Sequence, residues 1–261
     1  MAFKYGCDPE LFLKVGTEFI SAETKDGPLI PGTKANPFPV RGGAIQVDGV
    51  AAEFNINPTT NFEGFFGNIK SVVQTLRQTI HKRNPHVVLT ATPTAMFKQT
   101  YFKSLPEKTL ELGCEPDYNA NNGGKANPRP STDKPFRTGS GHIHIGWTDN
   151  ADPLSDGHML DCMLVVKELD RYLYAASKGW DSDTQRQELY GKPGSFRPKK
   201  YGVEYRPLSN AWLRKPDTIK TVFTIVQGVM KSIDSGKHTF DDPYIYDKDK
   251  PHECIASMFG E

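Results

Sequence analysis

The chain has 261 residues, enough for one large domain or two small ones with a sizeable buried core. Its 32 lysines and arginines nearly balance 31 aspartates and glutamates, so whole-chain charge gives no reason to expect nucleic acid or an anionic membrane as partner. No apolar run approaches the roughly 20 residues that span a bilayer, and "MAFKYGCDPELF" lacks the basic and apolar regions of a secretory signal, so a cytoplasmic location is expected. Cys7, Cys114, Cys162 and Cys254 are scattered without a CxxC pair, which favours free thiols in a reducing compartment and disfavours a four-cysteine zinc site.

In chain order, "YGCDPELFLKVGTEFISAE" alternates apolar and β-forming residues and predicts a strand pair around a glycine turn at Gly16. "GPLIPGTKANPFPVRGG" is rich in proline and glycine and too irregular for a core element. Strand character resumes in "AIQVDGVAAEFNINP", with Asp48-Gly49 as a hairpin signal. Asn61 is the expected N-cap of a helix in which Phe65, Ile69, Val72, Val73, Leu76 and Ile80 recur at helical spacing. "HVVLTATPTAMF" returns to strand. Residues 107–136 read as a long loop rich in Asn, Gly and Pro, a kind that is usually functional or disordered. The stretch "RTGSGHIHIG" then puts His142 and His144 on alternate strand positions, so both imidazoles share a face, either as a metal or anion site or as a polar face turned to water. A second amphipathic helix is expected at "SDGHMLDCMLVVKELDRYLYAASKG", a basic loop at "RQELYGKPGSFRPKK", a strand at "YGVEYRPLSNAW" and a third helix at "KPDTIKTVFTIVQGVMKSIDSG". Strand pairs separated by long helices predict an α+β fold with an antiparallel sheet.

Charged residues on these strands carry the functional signal. Asp8 and Glu10 stand two apart in "CDPELF", Glu204 and Arg206 two apart in "GVEYRPL", and Glu53 lies among small and apolar residues in "VAAEFNI". Burying unpaired charge costs several kcal/mol. Four strands with such groups therefore suggest one sheet face lined as a site. Carboxylates with one or two imidazoles suit hard or borderline divalent cations, Mg²⁺ or Mn²⁺, and neither thiolates nor HExxH support zinc chemistry. Arg137, Arg186, Arg197 and Arg206 add forks that match phosphate oxygens, and together they point to the oligophosphate of a metal-bound nucleotide. Neither GxxxxGK[ST] nor a clean GxGxxG is present, so such a site would not rest on a phosphate loop.

"CDPELF", "DGVAAEFN", "GSGHIHIG" and "GVEYRPL", in that order and spanning about Tyr5 to Trp212, resemble the phage-encoded type 2 carboxylate–amine ligases (amidoligases) of the glutamine synthetase and glutamate–cysteine ligase superfamily. "GCEPDYNA" and "ELYGKPGSFR" are expected to belong to the same set. The resemblance implies a single catalytic domain over residues 1–261, with a curved antiparallel sheet forming a cup backed by helices. That cup would hold ATP with two or more Mg²⁺ or Mn²⁺ ions. It further implies that Asp8 and His142 serve one metal, that Glu10 with Glu53 serves another, and that Glu204 is a late glutamate ligand. Asp8 is shorter than the glutamate that glutamine synthetases carry there, and Asp48 is a candidate for a further ligand. Arg206 would contact phosphate with Arg197, and His144 would face the substrate. The implied reaction phosphorylates a carboxylate with ATP and lets an amine displace the phosphate, giving an amide from small-molecule or peptide partners. Asp117 and Glu115 are the candidate bases for the amine. Oligomeric state stays open, because glutamine synthetases build sites across subunits and glutamate–cysteine ligases need not. Two other readings stand beside the ligase: a phosphotransferase of the same superfold acting on a guanidino or carboxylate group, and a non-catalytic phage structural protein that keeps the fold.

Overall fold

A computed structural model describes residues 2–112, 117–132 and 134–237. Cys114, Cys254 and the candidate base Glu115 lie outside the described residues. The fold is α+β, and every pairing between its strands is antiparallel. Among the described residues no helix is long and apolar enough to cross a membrane.

Two six-stranded sheets carry the architecture. The first runs Lys4–Cys7, Ile143–Gly146, Gly202–Tyr205, Ser195–Lys199, Tyr118–Asn119, Lys125–Ala126 in spatial order. The second runs Glu18–Ile20, Glu10–Val15, Ala51–Ile56, Gly43–Asp48, Phe38–Val40, with Val87–Thr90 also pairing along Glu10–Val15. The expected strand pair around Gly16 forms, with Gly16 at φ +59°. So does the hairpin after Asp48. Gly49 occupies its first central position at φ +55°, where a glycine meets no steric penalty and a two-residue turn with Val50 closes the register Asp48↔Ala51.

One expectation fails at the start of the chain. Asp8 and Glu10 do not share one strand, because the strand breaks at Asp8-Pro9 and the chain passes there from the first sheet to the second. Proline has no N–H for a ladder and restricts the residue before it, so pairing stops at this point. Three stretches expected to be irregular also contain strands, and "GPLIPGTKANPFPVRGG" supplies the edge strand Phe38–Val40 of the second sheet. The 107–136 stretch holds the short hairpin Tyr118–Asn119 and Lys125–Ala126, and "RQELYGKPGSFRPKK" supplies the Ser195–Lys199 strand after a single helical turn at Arg186–Leu189.

Three long helices cover the sheets. Phe62–Arg83 starts at Asn61, whose Oδ1 accepts from the Gly64 N–H at 2.8 Å, and it buries Phe65, Ile69, Val72, Leu76 and Ile80. Asp156–Leu169 runs on through a π-helical turn at Asp170–Tyr174, and Pro216–Asp234 is the third. The apolar faces of the first and third meet around Phe65, Trp212, Phe223 and Tyr5, and all three helices join a core that draws on both sheets. A smaller cluster of Phe12, Val50, Ala51, Ala95, Phe97, Phe102 and Leu105 lies apart from it.

The π turn places Asp170 in the interior, fully buried, where its carboxylate accepts from the Tyr205 hydroxyl at 2.8 Å and from Asn121 Nδ2 at 3.5 Å. Burial pushes this acid up to about 7, against the hydrogen bonds it accepts from Tyr205, the Gly194 N–H and Asn121. Tyr205 lies between Glu204 and Arg206, so the contact ties the strand that carries them to the helix behind. Tyr205→Phe is expected to cost about 1–3 kcal/mol in urea unfolding at pH 8, because it strips a donor from a buried acid. A loss under about 0.5 kcal/mol would mean that the pair does not anchor the strand.

Candidate functional site

The two sheets face a cavity of about 1060 Å³ lined by residues from the start, middle and end of the chain. Asp8, Glu10, Glu53, His142, His144, Glu204, Arg197 and Arg206 all line it, as does Arg137. Side chains separated by up to two hundred residues therefore meet on one concave surface.

Backbone bonds bring the histidine segment against the N-terminal acids. The Asp8 N–H donates to the His142 carbonyl (3.4 Å) and the Glu10 N–H to the Ser140 carbonyl (2.9 Å), while the Ser140 N–H donates to Glu10 Oε2 at 2.8 Å. Two glycines let the same segment lie against residues 209–212. A Cβ on Gly139 would stand 2.4 Å from Asn210 Nδ2, and one on Gly141 would stand 2.3 Å from the Ser209 carbonyl oxygen and 2.5 Å from Trp212 Nε1. The Trp212 indole N–H donates to the Gly141 carbonyl at 3.0 Å, and this closeness needs a residue without a side chain.

On the first sheet His144 lies directly opposite Glu204, and Glu204 opposite Arg197. Asp8, His144 and Glu204 offer ligand atoms within 4.8 Å of one another. Nε2 of His144 is 2.9 Å from Asp8 Oδ1, and Nδ1 of His142 is 3.3 Å from Glu204 Oε1 and 3.4 Å from Asp8 Oδ1. The His144 pair is close without being aligned as a hydrogen bond, and Asp8 Oδ1, His144 Nε2 and His142 Nε2 are all buried with no hydrogen-bond partner. Three cations surround Glu204: Lys199 Nζ at 2.8 Å, Arg197 Nη1 at 3.4 Å and Arg206 Nη1 in close contact. Arg206 also reaches Asp117, with Nε 3.6 Å from its Oδ2, so this candidate base is an ion-pair partner of the arginine. His144 Nδ1 contacts the Tyr201 hydroxyl.

The electrostatics follow from these contacts. Burial would raise the Glu204 carboxyl, but Arg206, His142, His144 and Lys199 hold it well below the usual carboxylate range. Burial would likewise raise Asp8, and His144 and His142 beside it bring it down instead. Burial and the Arg206 charge push His142 down to about 4, so near neutral pH its contacts with the two acids involve a neutral imidazole. Burial works against His144 too, but the Asp8 and Glu204 charges raise it. His144 would give up its proton before that nitrogen could act as a ligand.

The second sheet builds a different cluster. Glu10 pairs in register with Glu53, Gln46 lies on the other side of Glu53, and Glu10, Asp48 and Glu53 bring oxygens within 4.8 Å of one another. Lys34 Nζ reaches Asp48 Oδ2 at 3.0 Å. Burial and the Asp48 charge push Glu10 up to about 7. Burial with Asp8, Asp48 and Glu10 drives Glu53 well above its ordinary value. Three acids repelling one another in a buried pocket are the chemistry of a hard-cation site.

No protein-family model matches the chain, and no curated protein matches it.

The arginines divide. Arg197 and Arg206 stand at the first cluster. Arg186, expected among the phosphate-facing groups, does not line the cavity: it is 2% exposed and donates to the Pro207 carbonyl at 2.7 Å and the Arg206 carbonyl at 3.5 Å, so it buttresses the Arg206 backbone from behind. Arg137 lines the cavity without an ion pair to either cluster. Sequence reasoning passed over Lys199 and Lys34. Lys199 carried a legible signal, because it follows Arg197 by two on one strand and so shares its face. Lys34 sits in an irregular segment that offers no period to read.

Proposed function

We propose that the chain is an ATP-dependent carboxylate–amine ligase related to the type 2 amidoligases, and that its two sheets form the cup of a glutamine synthetase-like catalytic domain. The observation that carries this reading is the pair of distinct acidic clusters on one cavity wall, with Arg197, Lys199 and Arg206 gathered at only one of them. Such an asymmetry suits a polyphosphate whose charge must be matched by divalent ions and by arginine forks together. Asp8, His142, His144 and Glu204 would hold one ion, and Glu10, Glu53 and Asp48 another. Their orphaned buried nitrogens and oxygens and their mutual repulsion fit Mg²⁺ or Mn²⁺. When bound, the ions would neutralise phosphate charge. The chain's own part is positioning: Arg206 and Arg197 fix the transferring phosphoryl group. Asp117, paired with Arg206, is better placed to hold that arginine than to take the amine's proton.

The test is a reaction of the full chain with ATP, Mg²⁺ and pooled small-molecule and peptide acids and amines, read by mass spectrometry. The expected product is lighter than the sum of its acid and amine by one water, formed in step with ADP and free phosphate. ADP with a phosphorylated acceptor and no phosphate or amide would identify a phosphotransferase. Failure of the folded chain to bind Mg-ATP at millimolar concentration would leave a non-catalytic role.

A further inference from the structure

Arg137 is a cation on the cavity wall that neither cluster uses. It is 7% exposed. Its Nη1 donates to the Phe136 carbonyl at 2.7 Å, its Nη2 to the Leu110 carbonyl, and its guanidinium lies 4.5 Å from the Phe102 ring centroid. Two of the five N–H groups of the fork are thus engaged, and the Nε–H has no partner. No carboxylate among the described residues accepts from it. Burial pushes it down to about 10, and no ion pair among the described residues offsets its charge.

The other buried arginines differ. Arg206 lies between Glu204 and Asp117, and Arg186 feels Asp181 and Glu10. A buried cation without a counter-ion costs several kcal/mol, and packing against Phe102 would be served as well by an apolar side chain. The carbonyl bonds from Phe136 and Leu110 hold the fork in place. The Glu107–Leu110 turn that supplies one of them packs on Gly49, next to Asp48, with Lys108 on the cavity side. The charge therefore stands on the cavity wall beside the turn that follows Asp48.

The geometry points to an anion subsite at Arg137 that takes a carboxylate or phosphate group of the substrate other than the one that reacts. The subsite rests on the ligase reading only for the identity of the reacting centre. A substrate that bridges the two regions is then at least doubly anionic, and Arg137 selects for its non-reacting end.

Calorimetric titration of the full chain in chelator with glutarate and, separately, inorganic phosphate tests this, alongside Arg137→Met and a parallel titration with Mg-ATP. Saturable binding of one anion, weakened at least about tenfold in Arg137→Met while Mg-ATP affinity changes less than about twofold, is expected for charge-assisted bonds of about 1.5–3 kcal/mol. Which anion responds distinguishes a carboxylate from a phosphate ligand. If neither anion binds the wild type, or if Arg137→Met leaves both affinities unchanged, the subsite is refuted. A parallel fall in Mg-ATP affinity refutes its separation from the nucleotide. Should Arg137→Met not fold, Arg137→Lys keeps the charge without the fork; about threefold weaker binding or more is expected, and an unchanged affinity refutes the subsite. Anion binding that depends on Arg137 in a chain that never binds Mg-ATP would sink the ligase reading and leave the subsite standing.

Discussion

The substitution Glu204→Gln is expected to lower stability by about 3–5 kcal/mol at pH 7, the range seen when one member of a buried ion pair is removed. Glu204 is 1% exposed and meets Arg206, Arg197 and Lys199 at once. An amide of the same shape leaves the three cations facing one another with little water to screen them. Because the folded carboxyl is held far below its unfolded value of about 4.5, the wild type carries this stabilisation above that pH and loses it as pH falls through the folded value. The gap between wild type and variant should therefore be full near neutrality and narrow in acid. Under the ligase reading, Mg-ATP turnover should fall by about 100-fold or more, since the arginines that meet phosphate lose their anchor. Urea unfolding at pH 7 and again at a pH well below 4 measures the first part. A variant within about 0.5 kcal/mol of wild type at pH 7 would show that Glu204 does not hold the basic group together.

For Glu53→Gln the expected sign is reversed. Glu53 is nearly as buried as Glu204, yet burial and the charges of Asp8, Asp48 and Glu10 all raise it. The folded state then keeps protons that the unfolded chain releases near 4.5, so in the absence of divalent ions stability falls as pH climbs from there through about 7, where Glu10 titrates. Removing one of the repelling charges should raise stability at pH 8 by about 1–3 kcal/mol, each pKa unit of relief being about 1.4 kcal/mol. In its protonated form Glu53 can donate to Asp48, and a glutamine amide can supply the same donor. Millimolar Mg²⁺ should raise the melting midpoint of the wild type at pH 8, because a ligand that binds only the folded state stabilises it, and should do little for the variant. Thermal melts at pH 5 and pH 8, with and without Mg²⁺, read all of this. If Glu53→Gln melts below wild type at pH 8 without divalent ions, the three acids are not a strained cluster.

The long helices were legible because apolar residues at 3.6-residue spacing bury one face, and Asn61 marked one start by a bond its side chain makes. The hairpin after Asp48 was legible because a glycine must sit where φ is positive. The two-residue strands at Tyr118 and Lys125 escaped notice, since a pairing that short has no period. In the site, small-residue surroundings and i, i+2 spacing picked out Glu53, the two histidines and Glu204. The same spacing misled at Asp8 and Glu10, where Pro9 ends one ladder and Glu10 begins another. Arg186 shows the limit most clearly. Nothing local distinguishes an arginine that faces a cavity from one that caps backbone carbonyls behind it, because the distinction lies in which way a distant strand turns.

The Asp8-Pro9-Glu10 crossing acts as a covalent ruler. Asp8 belongs to one acidic group and Glu10 to the other, and two residues of extended chain span at most about 7 Å. Packing between the sheets can loosen with temperature, mutation or an arriving substrate, but these two carboxylate-bearing positions cannot drift apart by more than their shared backbone allows. Lengthening that link by one residue would disturb the spacing of both groups while leaving each sheet's own ladder intact.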